Sequence, residues 1–325
     1  MKRREFISLF SSAVAWPLAA LGQQPRTVIG FLSGRSPGET APALAAFRTG
    51  LAKTGFVEGQ NVSIEYRWAN GRYDQLPALA ADLVRRQVAV IVATGGEPSA
   101  LAAKAATPTI PIVFTSGGDP VELGLVASLN RPGGNVTGYH LLFGGVGPKR
   151  LELLQELVPK VAVIAMLVNP AFPSAEQETK EVLAAGRALG KHIHIFTAST
   201  ENQIDATVGS LVDRRVDALI VSTDAFFISR REQLIALTAQ HAVPVIYFAR
   251  EFPTAGGLIS YGSNLADGYR QVGVYTGEIL NGAKPANLPI VQPTKLELVI
   301  NLNTAKALGI TIPPSLLMRA DEVIE

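Results

Sequence analysis

One pattern of short apolar strands and amphipathic helices is written twice along this chain, and that duplication restricts it to a fold of two similar α/β halves. Residues 83–94 (LVRRQVAVIVAT) match 212–223 (VDRRVDALIVST), with Arg85-Arg86 against Arg214-Arg215 and Thr94 against Thr223 in register. Residues 110–114 (IPIVF) match 243–247 (VPVIY), and 28–32 (VIGFL) match 163–167 (VIAML), in the same order and at similar separations. Repeated supersecondary units that each need a partner to cover their apolar faces imply two copies of one topology. A length of 325 residues agrees, because it exceeds the size at which one hydrophobic core stops growing.

The apolar runs at 28–33, 61–67, 88–94, 110–115, 161–168, 192–197, 216–222, 243–248 and 257–261 read as strands. Most are continuous rather than alternating, as expected of parallel strands covered by helices on both faces. Helical periodicity occupies 40–54, 74–87, 97–106, 120–129, 147–157, 174–190, 201–214, 228–241 and 265–281, with Pro98 and Pro120 at first-turn positions and Ser174 followed by Gln177 as start signals. The fold class expected is therefore α/β, with two doubly wound parallel-sheet lobes.

Ligands of such sheets bind outside the carboxyl ends of the strands. Six loops fall there: 33–38, 94–99 and 115–120 in the first half, and 169–174, 222–227 and 247–252 in the second. They supply Ser33, Arg35, Thr94, Gly96, Thr115, Ser116 and Asp119 from one side, and Asn169, Phe172, Ser174, Thr223, Asp224, Phe226, Tyr247 and Glu251 from the other. Hydroxyls and free amides at helix starts suit a ligand carboxylate. Asp119, Asp224 or Glu251 could complement an amine, and Phe172, Phe226, Tyr247 and Phe252 could hold an apolar or aromatic body. Arg35 is the cationic candidate of the first-half loops. The same Ser, Thr, Asn and Asp residues also serve as ordinary helix caps.

Catalytic and cofactor signatures do not match. Residues 33–38 (SGRSPG) follow a strand and precede a helix, but have neither the Gly-x-Gly-x-x-Gly pattern nor the Lys-Ser/Thr ending of a phosphate loop. No Gly-x-Ser-x-Gly elbow occurs. Of the four histidines, His192 and His194 share one face of a strand without an evident third metal ligand, and His140 and His241 stand apart. No cofactor or metal is expected, and no enzymatic activity.

Residues 1–22 read as an export leader: Lys2-Arg3-Arg4, an apolar stretch over 8–21, then Ala20-Leu21-Gly22, which predicts cleavage before Gln23. The paired arginines suggest the twin-arginine route, in which the chain crosses the membrane already folded. Removing the leader takes three positive charges and one negative from a formal net charge of +2, leaving zero, so nucleic acid is a poor partner. No later apolar run suggests membrane insertion, and the absence of cysteine excludes disulfides, thiolate sites and a lipid-modified cysteine.

Residues 115–129 (TSGGDPVELGLVASL), followed by Arg131-Pro132-Gly133-Gly134-Asn135-Val136-Thr137-Gly138, resemble the signature stretch of a substrate-binding family of ABC importers that includes tryptophan- and tyrosine-binding lipoproteins. The ending at 296–301 (LELVIN) and 304–310 (TAKALGI) is similar to that family's tail. The resemblance implies a type I periplasmic-binding-protein fold: two lobes joined by a multi-strand hinge, with crossings near 138–147, 261–266 and 289–296. The first lobe would comprise 23–142 plus 265–292, and the second 143–264 plus 293–325. It also implies that Ser33, Thr94, Thr115, Asp119, Asn169, Ser174 and Asp224 lie on ligand-holding loops. The expected protein is a periplasmic monomer that delivers a small ligand, an amino acid or aromatic acid with a carboxylate, to an ABC importer permease. A periplasmic ligand sensor and an exported α/β hydrolase are the alternatives. The missing cysteine departs from the lipoprotein members and predicts free diffusion in place of anchoring.

Overall fold

The structure, a computed structural model, describes residues 27–325; the predicted leader lies outside the described residues. The chain begins with β1 (Thr27–Ser33), α1 (Pro37–Ala52), β2 (Val62–Trp68), α2 (Leu76–Arg85), β3 (Val90–Thr94), α3 (Glu97–Ala106), β4 (Ile112–Ser116) and β5 (Val136–His140). It continues with α4 (Gly147–Leu157), β6 (Val163–Val168), α5 (Ala175–Ala188), β7 (His192–Thr197), α6 (Glu201–Asp213), β8 (Ala218–Val221), α7 (Ala225–Ser229), α8 (Arg231–Gln240), β9 (Val245–Tyr247), α9 (Glu251–Thr254) and β10 (Ile259–Gly262). Then come α10 (Leu265–Leu280), β11 (Glu297–Asn301), α11 (Leu302–Ala307), α12 (Pro314–Arg319) and β12 (Glu322–Ile324). Two sheets form, with strand orders β2-β1-β3-β4-β5 and β12-β11-β10-β9-β8-β6-β7.

Each sheet is covered on both faces, for the reason its strands are apolar throughout. In β3, Val90 and Val92 face α1 and α10, while Ile91 and Ala93 face α2 and α3. In β6, Ala165 and Leu167 point to the side of α6 and α8, and Ile164 and Met166 to the side of α4 and α5. Burying both rows of a β-branched strand removes nearly all of its apolar surface from water, worth about 1.5–3 kcal/mol per large side chain. α10 follows β10 in sequence but packs on α1 of the other lobe. The helices approach so closely that a Cβ on Gly50 would strike the Arg270 backbone and one on Gly273 the Phe47 backbone.

The chain passes between the sheets three times, after β5, between β10 and α10, and before β11. The crossings are bound together: Ser263 Oγ donates to the Leu141 carbonyl at 2.6 Å, and His140 N donates to the Val291 carbonyl at 2.9 Å. The third crossing explains the one departure from parallel pairing. It enters the second sheet from the end that β10 leaves by, so β11 must run antiparallel to β10.

Strand register also corrects the repeat. Val90 pairs with Ile29, and Ala218 with Ile164, which makes Val90 equivalent to Ala218 and sets Thr94 against Ser222 rather than Thr223. The positive-φ residues preceding these strands, Gln87 and Arg215, agree with the shifted register. The helix predicted at 120–129 does not form. After one turn, in which Leu123 N reaches the Asp119 carbonyl, Gly124 adopts φ +66° and the chain breaks into turns. β5 was not predicted: only five residues long, it carries a glycine, Gly138, where a Cβ would collide with the Phe114 backbone. No helix among the described residues is long and apolar enough to cross a membrane.

Candidate functional site

The carboxyl ends of β1, β3 and β4 face those of β6, β8 and β9 across a cleft, and two polar latches close it. Gly96, at φ +103°, turns the chain so that Glu97 opens α3 with its carboxylate inside the protein. Glu97 Oε1 accepts from Gly118 N at 2.6 Å and from Ser174 Oγ of the opposite lobe at 2.5 Å, and Oε2 accepts from Ser174 N at 3.1 Å. In the second latch the Tyr73 hydroxyl of the first lobe donates to Asp224 Oδ1. Asp224 also caps α7 through Phe226 N at 2.9 Å and accepts from Asn169 Nδ2 at 2.6 Å. Burial pushes Glu97 up to about 7 and Asp224 up to about 6, and the charge of Asp224 adds to the rise at Glu97.

Between the latches lies an inner cavity of about 30 Å³, lined by Arg35, Thr115, Phe143, Phe172, Thr223, Phe248 and Tyr269 among others. That is room for about one water molecule, well below what a drug-sized ligand fills. Arg35 is only 2% exposed, and its Nε has no hydrogen-bond partner among the described residues. Tyr269, from α10, has its hydroxyl likewise unpartnered. The charges of Arg35 and Glu251 act on each other, yet Glu251 Oε2 is also without a partner and burial holds its carboxyl above the usual range. A second pocket of about 440 Å³ lies beyond the Glu97–Ser174 latch, lined by Asp119, Glu122, His140, Ser174, Glu176 and neighbouring residues.

The structure thus brings Arg35, Gly96, Thr115, Phe172 and Thr223 to the inner cavity. Ser174, Asn169 and Asp224 work in or behind the latches. Ser33 accepts from Arg35 N at 3.2 Å and shapes that loop, Thr94 is buried beside it with its hydroxyl unpartnered, and Ser116 Oγ donates to the Gly118 carbonyl. Asp119 caps the following turn through Val121 N and lines the outer pocket. Phe226 packs against Phe227 and near Gly71 of the other lobe. Tyr247 and Phe252 are not brought to the cavity: the two rings stack at 4.2 Å inside the second lobe. Their strand and helix ends point right, but the apolar core captures the rings.

Sequence reasoning did not single out Tyr73, Glu97, Phe143, Phe248 or Tyr269. It also gave no role to Arg150 and Glu178, a fully buried ion pair at 2.8 Å behind the cavity wall. Arg150 sits in an amphipathic helix where an arginine normally faces solvent, so its sequence carries no mark of burial. His140 is 5% exposed and its Nδ1 lies 3.2 Å from Gln292 Nε2.

The family model described as ABC transporter substrate binding protein matches residues 28–324. A tyrosine-binding protein of Clostridioides difficile (strain R20291) is 28% identical over 82% of this chain and 76% of its own. Among solved structures, the ABC domain in complex with L-Trp from Streptococcus pneumonia is 28% identical, with 91% of this chain and 100% of that chain covered and a TM-score of 0.81. The ligand-free, open structure of a substrate binding protein with adhesive properties from Clostridium difficile, 26% identical over 92% of this chain and 99% of that one, gives a TM-score of 0.64. At nearly equal identity, the chain superposes better on the ligand complex than on the open form. More distant structures, 12–14% identical, share the two-lobed type I periplasmic-binding-protein fold alone. With nearly all of the described residues inside one family model and the cleft built between two doubly wound lobes, the chain belongs to the ABC transporter substrate binding protein family.

Proposed function

We propose that the mature chain, from Gln23, is a periplasmic monomer exported by the twin-arginine route. It captures a small organic ligand bearing a carboxylate, an amino acid or aromatic acid, and delivers it to an ABC importer permease without chemical change. The lobes divide at 23–142 plus 265–292 and 143–264 plus 293–325. The observation that carries the reading is Arg35. Its guanidinium sits in a wall where the residue is 2% exposed, with Nε unpartnered among the described residues and Glu251 as a neighbouring charge, and a ligand carboxylate is the group that would complete its hydrogen bonding. Thr115 and the Tyr269 hydroxyl supply neutral donors around the same space, and Phe143, Phe172 and Phe248 supply apolar faces for the rest of the ligand. The tyrosine- and tryptophan-binding relatives support this ligand class. The hydrolase alternative asks for a serine or threonine paired with a histidine at the cleft, whereas His140 there pairs with Gln292.

A cavity of about 30 Å³ admits such a ligand only if the lobes part and close again around it. The test is a thermal-shift screen of the mature protein against L-tyrosine, L-tryptophan, other amino acids, aromatic acids and dicarboxylates, followed by calorimetry on the hits. Stabilisation by carboxylates and not by their amides is expected. A hit set confined to neutral sugars would overturn the reading.

A further inference from the structure

Arg150 lines no part of the cavity, yet it touches what must move and what must bind. Its Nη1 donates to Glu178 Oε1 at 2.8 Å, its Nε to the Tyr261 carbonyl at 3.2 Å and its Nη2 to the Phe143 carbonyl, with Thr223 Oγ1 at 3.4 Å. Tyr261 precedes the second crossing and Phe143 lies in the first. Glu178 carries the connection on, since its Oε2 accepts from Thr223 N at 2.9 Å. The guanidinium also lies 6.0 Å from the Phe248 ring centroid, and that ring meets Phe143 edge-on at 5.4 Å. Thr223, Phe143 and Phe248 all face the cavity.

We propose that Arg150 and Glu178 form a positioning brace that ties the ligand-facing wall of the second lobe to the first hinge crossing and to the strand end that leads into the second, so that filling the cavity and closing the lobes become one event. The proposal rests on the cleft being the ligand site. A pair buried to 0% and 1% exposure is a poor choice for stability alone, because well-packed apolar residues of similar volume serve as well or better. Its geometry instead serves connection. One planar guanidinium reaches a carbonyl in the first crossing, a carbonyl at the end of β10, a hydroxyl in the wall and a carboxylate that holds that wall's backbone, which the single ammonium of a lysine cannot do.

The chain has no cysteine, so spin labels can be placed at Ala45→Cys and Glu232→Cys, exposed positions on α1 and α8 of opposite lobes. Interlobe distances are then measured on the full mature protein with and without L-tyrosine. The probe is expected to narrow and shorten the distribution in the parent. In Arg150→Met/Glu178→Leu, which removes the pair and keeps its volume, the ligand-free distribution is expected to broaden. L-Tyrosine should then bind at least tenfold more weakly, while the melting temperature stays within a few degrees. Arg150→Lys, which keeps the ion pair but not the carbonyl bonds, is expected to lie between the two and guards against misfolding of the double variant. An unchanged distribution in both variants, or a lowered melting temperature with closure and affinity intact, overturns the brace. If the parent ignores L-tyrosine, the carboxylate that the thermal-shift screen identifies takes its place as probe, and the ligand-free distributions decide this proposal in either case.

Discussion

Arg35→Met tests the ligand reading most directly, because it removes the charge and keeps most of the side-chain volume. Arg35 is 2% exposed with Nε unpartnered among the described residues, so the ligand-free protein loses no hydrogen bond at that atom, and the relief of a buried cation is set against the lost attraction to Glu251. Its melting temperature is expected to stay within about 2 °C of the parent's, the equivalent of about 1 kcal/mol in a chain of this size. Binding responds far more strongly. Removing one partner of a buried charge-assisted contact costs about 2–4 kcal/mol, which at about 1.4 kcal/mol per decade is roughly 30- to 1,000-fold in Kd. The assay is calorimetry with L-tyrosine and L-tyrosinamide on both proteins. The parent should prefer the acid by that factor, and the variant should bind acid and amide within about threefold of each other. An Arg35→Met protein that still distinguishes acid from amide as sharply as the parent would refute the argument, because the selectivity would then reside elsewhere.

Three further outcomes follow from the cleft. Tyr269→Phe removes an unpartnered hydroxyl beside Arg35, so it should leave the melting temperature unchanged while weakening carboxylate binding by about 2- to 10-fold in the same titration. Gly118→Ala drives a Cβ into Ser174 Oγ at the Glu97 latch, and should lengthen the interlobe distance and reduce affinity without unfolding either lobe. Glu97 and Asp224, raised by burial to about 7 and about 6 from ordinary values of 4.5 and 3.8, keep their protons in the folded chain to higher pH than in the unfolded one. Folding therefore takes up protons between those values, and the contribution of these groups is greatest at low pH and lost as pH rises through about 7. Melting temperature should rise as pH is lowered from about 8 to about 5, and Glu97→Gln should flatten the upper part of that rise. A profile identical in parent and variant would remove Glu97 as its source.

The reading of Tyr247 shows where sequence reasoning fails at such a site. It stands at the end of β9, where a ligand-facing residue is expected, but its ring stacks on Phe252 at 4.2 Å and its hydroxyl meets Thr238 inside the second lobe, and those contacts win. Arg35 shows the reverse. A loop arginine ordinarily extends into water, yet the Ser33 hydroxyl holds its backbone while Gly34 packs so tightly against the Gly95 carbonyl that the loop folds inward. The predicted helix at 120–129 failed for a local reason, Gly124 at positive φ, although its apolar spacing was helical.

By itself the sequence determined the two doubly wound lobes, the covering of both sheet faces and the set of loops at the strand ends. Each of these follows from the periodicity of neighbouring residues, a property local enough to read along the chain. Tertiary structure alone decided which of the polar side chains confront one another. Glu97 meets Ser174 across 77 residues, Tyr73 meets Asp224 across 151, and Arg150 gathers carbonyls from the first crossing and from β10. Such pairings are set by how one lobe rests on the other. No spacing along the chain encodes that placement, because the polar groups it buries are offset only by partners that are far away in sequence.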